Sequence, residues 1–167
     1  HLASDNLLKG ALLNMAKSTS LISLLQSGQF LSLKPNCNGG LILQKGFYAE
    51  FVGAGAAVGG CFDIKSTTIY AAGRVQFYAP QTYAERRQAF QTRMAYLSKL
   101  QQITLEPSPA HRAYFIIRQL SKWLNAEEIK KIPHELVARL VGVQPETVAI
   151  SWHRHFSRRA DDCVRLR

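Results

Sequence analysis

The sequence predicts an α+β fold: a β-rich unit over residues 1–80, a long helix over 81–105 and a helical module over 106–167. Three observations carry that prediction. Glycine-punctuated, β-branched and aromatic runs fill residues 36–80, as in NCNGGLILQKGFYAEF and TTIYAA. At Pro80 the apolar spacing lengthens from a strand-like to a helical period. Near the C-terminus, two amphipathic stretches meet at Gly142-Val143 in PHELVARLVGVQPETVAISWHRHF, residues 133–156.

A chain of 167 residues, 47% of them hydrophobic, can bury a core as one large domain or two small ones. The formal charge of +10 and pI near 9.9 favour an anionic partner: nucleic acid, an acidic protein or a membrane surface. Residues 1–80 hold 6 Lys+Arg against 3 Asp+Glu, residues 81–125 hold 7 against 2, and residues 126–167 hold 8 against 6. The middle segment is thus the most basic. Cys37, Cys61 and Cys163 are far apart and form no CxxC pair, a usage that suits a reducing cytoplasm. No metal or other cofactor is expected. No apolar run approaches the ~18 residues of a membrane span, so no membrane partner is expected, and residues 7–15 are too short for a signal peptide.

Taken in order, Leu7, Leu8, Ala11, Leu12 and Met15 fit a helical stripe, whereas Leu21, Ile22, Leu24 and Leu25 suit either a helix or strands. Residues 41–43 and 47–52 read as strands joined at Lys45-Gly46. VGAGAAVGG reads as a loop; TTIYAA and RVQFYAP read as further strands. Past Pro80, Phe90, Met94, Leu97 and Gln101 recur at helical spacing, with Tyr96, Leu100 and Ile103 alongside. A stripe that wide fits a helix burying one face on its own domain and another on a second copy, so these four residues are the candidate dimerisation set. The alternative is a core helix of a monomer. Pro107 and Pro109 stop the helix. In the next one Ala113, Ile116, Ile117, Leu120, Trp123 and Leu124 share a side, with Ser108 as cap and Pro109 in the first turn.

Two helices meeting at a tight turn need a small residue at the crossing, a residue tolerant of left-handed torsions in the turn, and apolar residues facing inward. Ala138, Gly142, Val143 and Val148 meet those needs, with Val137, Leu140 and Val141 filling the other inward positions. Pro145 suits the first turn of the second helix. Ser151 departs from the pattern, and Trp152 beside it can pack in its place. Such a helix-turn-helix would present Gln144, Glu146, Thr147, Ile150, His153, Arg154 and Arg158 outward, as candidate contacts to double-stranded DNA. Glu146 suits a cytosine amino group, Gln144 an adenine edge and Ile150 a thymine methyl. Arg154, Arg158 and Arg159 suit phosphates. The competing reading is an unrelated helical hairpin with a solvated, basic end.

Residues 109–157, through AYFIIRQLSKWL and IPHELVARLVGVQPETVAISW, resemble the DNA-binding half of the cyclic AMP receptor protein/fumarate-nitrate regulator family of bacterial transcription factors. Upstream, LILQKGFYAEF is similar to that family's strand-Lys-Gly-strand, and VGGCFDIKSTTIYAAGRVQFYAP to its phosphate-binding segment. The resemblance implies a jelly-roll-like, cyclic-nucleotide-binding-like first domain, a long dimerisation helix and a winged-helix-type helix-turn-helix. It also implies a homodimeric, cytoplasmic regulator. Several departures qualify it. The family's recognition arginines are replaced by Pro145 and Ile150, Cys61 follows Gly60 where nucleotide binders carry Glu, and Ser66-Thr67-Thr68 lacks their arginine. A cyclic nucleotide, deprived of its charge-assisted bonds, is therefore not the expected effector. The first domain is short, and the wing is reduced to RRADDCVRLR, enough for one strand.

Catalytic readings are weaker. VGAGAAVGG suggests a dinucleotide fingerprint, but the adjoining CFDIKSTTIY reads as strand rather than helix. His111, His134, His153 and His155 have no carboxylate or nucleophile at a fixed offset, so no enzyme is expected. The alternatives to a regulator are a degenerate relative acting as a protein-interaction module and a redox sensor using Cys61.

Overall fold

The computed structural model describes residues 18–165, with side chains over 21–158; the helical stripe expected at residues 7–15 lies outside them. The first half is built from six short strands. Strands β1 (Phe30–Leu33), β4 (Ala57–Gly59) and β6 (Phe77–Tyr78) make one antiparallel sheet in the order β4-β1-β6. Strands β2 (Gly39–Lys45), β3 (Tyr48–Gly53) and β5 (Thr68–Gly73) make the other, in the order β3-β2-β5. Leu31 and Leu33 of the first sheet and Leu41, Leu43, Val52 and Ile69 of the second share a core, closed by Leu21 and Leu25 of helix α1 (Ser18–Gln26). Residues 21–25, open between helix and strand in the sequence, are thus helical.

Strand β2 is buried along both faces, which explains why GGLIL shows no alternation. Leu41 and Leu43 face the first sheet's core, whereas Ile42 joins Ala49, Phe51 and Ala72 in a second core shared with the helices. Into that second core come Leu100 and Ile103 of α2 (Tyr83–Thr104) and Ala113, Ile116, Ile117 and Leu120 of α3 (Pro109–Trp123). Ile129 of the short α4 (Ala126–Lys130), Val137, Ala138, Leu140 and Val141 of α5 (His134–Val141), and Val148 of α6 (Pro145–Arg165) complete it. The helices are therefore docked on the second sheet. Polar links reinforce the seam: Tyr70 Oη donates to the Lys131 carbonyl at 3.1 Å, and Arg139 donates to the Gly46 carbonyl at 3.2 Å.

Local sequence sets the helix ends. Thr82 Oγ1 accepts the Glu85 N–H at 3.1 Å, while the Glu85 carboxylate accepts from the N–H groups of Thr82 and Gln81, a capping box that starts α2. Ser108 caps α3 through the His111 N–H, with Pro109 at its first position, as the sequence predicts. At the far end of α2, Thr104 precedes the two prolines that forbid continuation.

Three expectations are corrected. The VGAGAAVGG loop contains a strand, β4, paired antiparallel with β1 from Phe30↔Gly59 to Ser32↔Ala57. A Cβ on Gly59 would run into the Gln29 carbonyl oxygen, so the chain passes there too closely for a side chain. In CFDIKSTTIY only the part from Thr68 is strand; Gly60–Phe62 is a single 3-10 turn, and Asp63 turns its carboxylate inward. Finally, RRADDCVRLR does not form a wing strand: α6 runs unbroken to Arg165. No glycine or proline occurs after Pro145, so nothing in the sequence halts the helix.

Candidate nucleic-acid interface

The turn between α5 and α6 is made by backbone torsion. Gly142 adopts φ 65° and ψ 47°, and both its N–H and that of Val143 donate to the Ala138 carbonyl. Nothing lies within 4 Å of where its Cβ would be, so glycine is required here for its left-handed backbone and not for space. The chain then restarts at Gln144, whose carbonyl accepts from the N–H groups of Thr147 at 3.1 Å and Val148 at 3.3 Å. Val137, Ala138, Leu140, Val141 and Val148 are all buried, and Val143 is partly so. Trp152 packs against the same core, with the His134 ring 5.0 Å away, and supplies the apolar contact that half-buried Ser151 does not.

With that side of α6 anchored, the other faces solvent. Gln144, Glu146, His153, Arg154 and Arg158 are exposed, Ile150 is 57% exposed and Thr147 is half-buried. Ile150, Arg154 and Arg158 recur every four residues and form one stripe along the helix. Beside it, between α6 and the first two turns of α3, runs a groove of about 380 Å³ lined by His111, Tyr114, Ser151, Arg154, His155 and Arg158, together with Ala110. Among the described residues no carboxylate lines it.

A second group of charges lies in the β-rich half, with no counterpart in the sequence pattern. Arg93 of α2, 1% exposed, grips the fully buried Asp63 with both nitrogens, Nη1–Oδ2 at 2.6 Å and Nη2–Oδ1 at 2.8 Å, and reaches Glu50 at 2.7 Å. Lys45 adds contacts to Asp63 at 3.0 Å, to Glu50 at 3.2 Å and to the Phe62 carbonyl at 2.6 Å. The Gly59 N–H donates to Asp63 Oδ2 at 2.7 Å. Burial alone would raise the Asp63 pKa, but the hydrogen bonds and charges of Arg93 and Lys45 outweigh it and hold the carboxyl below its ordinary value. Hydrogen bonds and charges of Asp63 and Glu50 raise Arg93 in turn, against the effect of its own burial. Two cations meet two anions, and the quartet ties α2 to both sheets.

Of the candidate dimerisation residues, Phe90, Met94 and Gln101 are exposed and Leu97 is half-buried; the face α2 turns to its own core carries Ala89, Arg93, Leu100 and Ile103. Phe47, fully exposed at the tip of the β2–β3 hairpin, and Tyr48 lie across a cleft of about 570 Å³ from Leu97 and Gln101. Cys61 is exposed and Cys37 half-buried. Among the described residues no group of His, Cys, Asp and Glu is arranged to hold a metal, and no helix is long and apolar enough to cross a membrane.

The structure thus leaves Gln144, Glu146, Ile150, His153, Arg154 and Arg158 exposed with Thr147 half-buried, and on α2 leaves Phe90, Met94 and Gln101 exposed with Leu97 half-buried. Nothing in the sequence signals that His111 and Tyr114 wall a groove with Arg154, or that Arg93 meets residues 30 and 43 positions away. Comparison with family models, with curated proteins and with solved structures finds no match to this chain.

Proposed function

We propose that this chain is a sequence-specific, DNA-binding transcription regulator of the cyclic AMP receptor protein/fumarate-nitrate regulator type, working as a homodimer and not answering to cyclic nucleotides. One observation carries the reading: α6 buries Val148 and packs Trp152 on the core while leaving Gln144, Glu146, Ile150, His153, Arg154 and Arg158 open to solvent. A helix held that way, after a left-handed glycine turn, is able to enter a major groove. Glu146 would accept from cytosine, Gln144 would pair an adenine edge, and Ile150 would touch a thymine methyl. Arg154 and Arg158 would set the register on phosphates.

The exposed Phe90 and Met94 support pairing of two copies along α2, which would present two recognition helices to half-sites about one helical turn apart. The quartet argues against a cyclic phosphate. Its one buried guanidinium is already held by Asp63 and Glu50, so its charge-assisted bonds are taken up within the fold. The β-rich half is read as a shortened jelly-roll-like, cyclic-nucleotide-binding-like unit, and the helical half as a helix-turn-helix whose recognition helix continues to Arg165.

The test is selection from a pool of random-sequence duplexes, then gel-shift titration over a salt series. Enrichment of a two-fold symmetric motif, with affinity falling steeply as salt rises, is the expected result. Absence of any binding at low salt would overturn the proposal. The second reading, a protein-interaction module, is favoured by the exposed Phe47, Tyr48, Phe90 and Met94 and by Pro145 and Ile150 in the family's arginine positions.

A further inference from the structure

We infer that the groove between α3 and α6 is a phosphate seat, in which His111 and Tyr114 of α3 complete a site begun by Arg154 and Arg158 of α6. The inference rests on the DNA-binding reading for the identity of its occupant, a backbone phosphate of the duplex, and on geometry for its chemistry. The groove holds about 380 Å³, enough for one tetrahedral oxyanion with its water.

Like Arg74, Arg86, Arg87 and Arg118, its two arginines form no ion pair with any described residue, and of these six only they line the groove. Arg93 is locked to Asp63 and Glu50, Arg139 pairs with Glu135 at 2.9 Å, and Arg112 donates to the carbonyls of Glu106, Pro107 and Gly142. Arg154 and Arg158, one helical turn apart and exposed, form no ion pair with any described residue. Among the described residues the groove's lining holds two guanidiniums and no carboxylate, and their planar forks match the oxygens of a phosphate.

The α3 wall adds directed donors. Tyr114 is held beneath Arg118, whose guanidinium lies 5.8 Å from the ring centroid, which brings a third cation to the edge of the groove. Its hydroxyl and that of Ser151 can donate to phosphate oxygens. His111 offers a ring N–H; Glu106, which does not line the groove, approaches that ring at 3.4 Å. His155, also in the wall, is near Ser121 Oγ at 3.4 Å. The stripe Ile150–Arg154–Arg158 runs from the base-reading end of α6 into this groove, so a phosphate here would fix the depth and angle of the helix on the duplex.

The test uses the full chain, a fluorescently labelled 30-base-pair duplex of mixed sequence, and inorganic phosphate as a separate probe. Anisotropy titrations over a salt series compare the parent with Arg154→Ala, Arg158→Ala, His111→Ala and Tyr114→Phe, each checked for folding by its thermal melt. Each arginine change should weaken binding about tenfold at low salt and reduce the steepness of the salt dependence by about one unit. Tyr114→Phe and His111→Ala should weaken binding severalfold, with affinity lost equally on duplexes of different sequence. If the parent binds the duplex and all four variants match it in affinity and slope, the seat is wrong while the regulator reading stands. If the parent fails to bind the duplex but binds inorganic phosphate, and Arg154→Ala/Arg158→Ala loses that binding, the seat is right and its occupant is a free phosphate. Binding of neither probe overturns both.

Discussion

Two sets of cations in this chain meet opposite fates. Lys45 and Arg93 are buried and matched by Asp63 and Glu50, whereas Arg154 and Arg158 stand in solvent with no anion beside them among the described residues. A charge taken out of water must be matched within the fold, and once matched it has no attraction to spare for a ligand. A charge left in water costs the fold almost nothing and keeps its full field for a partner. The net charge of +10 therefore says less than the location of each cation. For these two sets, the contrast assigns stability to Lys45 and Arg93 and leaves Arg154 and Arg158 available to a partner.

The sharpest way to break that contrast is Arg93→Ala. It leaves Asp63 fully buried, with only Lys45 and the Gly59 N–H as partners, and deprives Glu50 of its shortest contact. Removing one side of a buried ion pair costs about 3–5 kcal/mol, a large part of the stability of a domain this size. Urea unfolding monitored by circular dichroism should show the loss. The equivalent change at Arg158, in the same assay, should be nearly silent. Equal effects at the two sites would remove the distinction.

Acid should probe the same quartet with the sequence unchanged. Asp63 titrates below its ordinary 3.8 in the folded chain because Arg93 and Lys45 outweigh the opposing effect of burial. Its unfolded form therefore takes up a proton first as pH drops. The stability it contributes is complete above about 3.8 and declines as pH falls from there through the lower folded value. Urea midpoints measured from pH 5 downward should show that decline, and Arg93→Ala should show a shallower one. Identical slopes in both proteins would mean that Asp63 is not held by Arg93.

The matched and unmatched sets also differ in how legible they are in the sequence. The turn at Gly142 and the inward row from Val137 to Val148 derive from local periodicity and from one residue free to adopt left-handed torsions, so they can be read from residues 133–156 alone. The exposed row of α6 comes with them, since fixing one face of a helix fixes the other. The quartet has no such signature: Arg93 lies in the middle of a helix, Asp63 comes just after a 3-10 turn, and only the fold brings them together. Arg93 even occupies a position on the inward face of α2 where periodicity alone would require an apolar residue. The strand within VGAGAAVGG is hidden because small residues and glycine read as loop, while pairing with β1 decides the outcome. The length of α6 is obscured for another reason: the resemblance suggests a wing where the chain lacks a helix stop.

A smaller effect is expected at the turn. Gly142 holds a left-handed conformation in open space, so Gly142→Ala meets no neighbour and its cost is purely conformational, about 1–2 kcal/mol. Chemical unfolding should read that value. Gly142→Asn should cost less, because asparagine visits this region more readily. A larger loss for alanine would point to a steric clash that the open surroundings of Gly142 do not contain.

At the far end of the scale is Ile150→Asp, where structure and function separate most cleanly. Ile150 is 57% exposed and lies on the stripe that continues into Arg154 and Arg158. An exposed substitution away from caps and buried contacts shifts stability by no more than about 0.5 kcal/mol, so the thermal melt should be unchanged. On DNA the same aspartate would face thymine methyls and phosphates with a negative charge, and gel-shift binding should disappear. A protein partner docked on Phe47 and Tyr48 need not meet this side chain, because Ile150 does not line the cleft beside them. An unchanged melt with lost DNA binding therefore supports the groove-reading role of α6. An unchanged melt with unchanged DNA binding would place the contact elsewhere on the surface, and the unmatched cations of α6 would then not be the ones that meet the duplex.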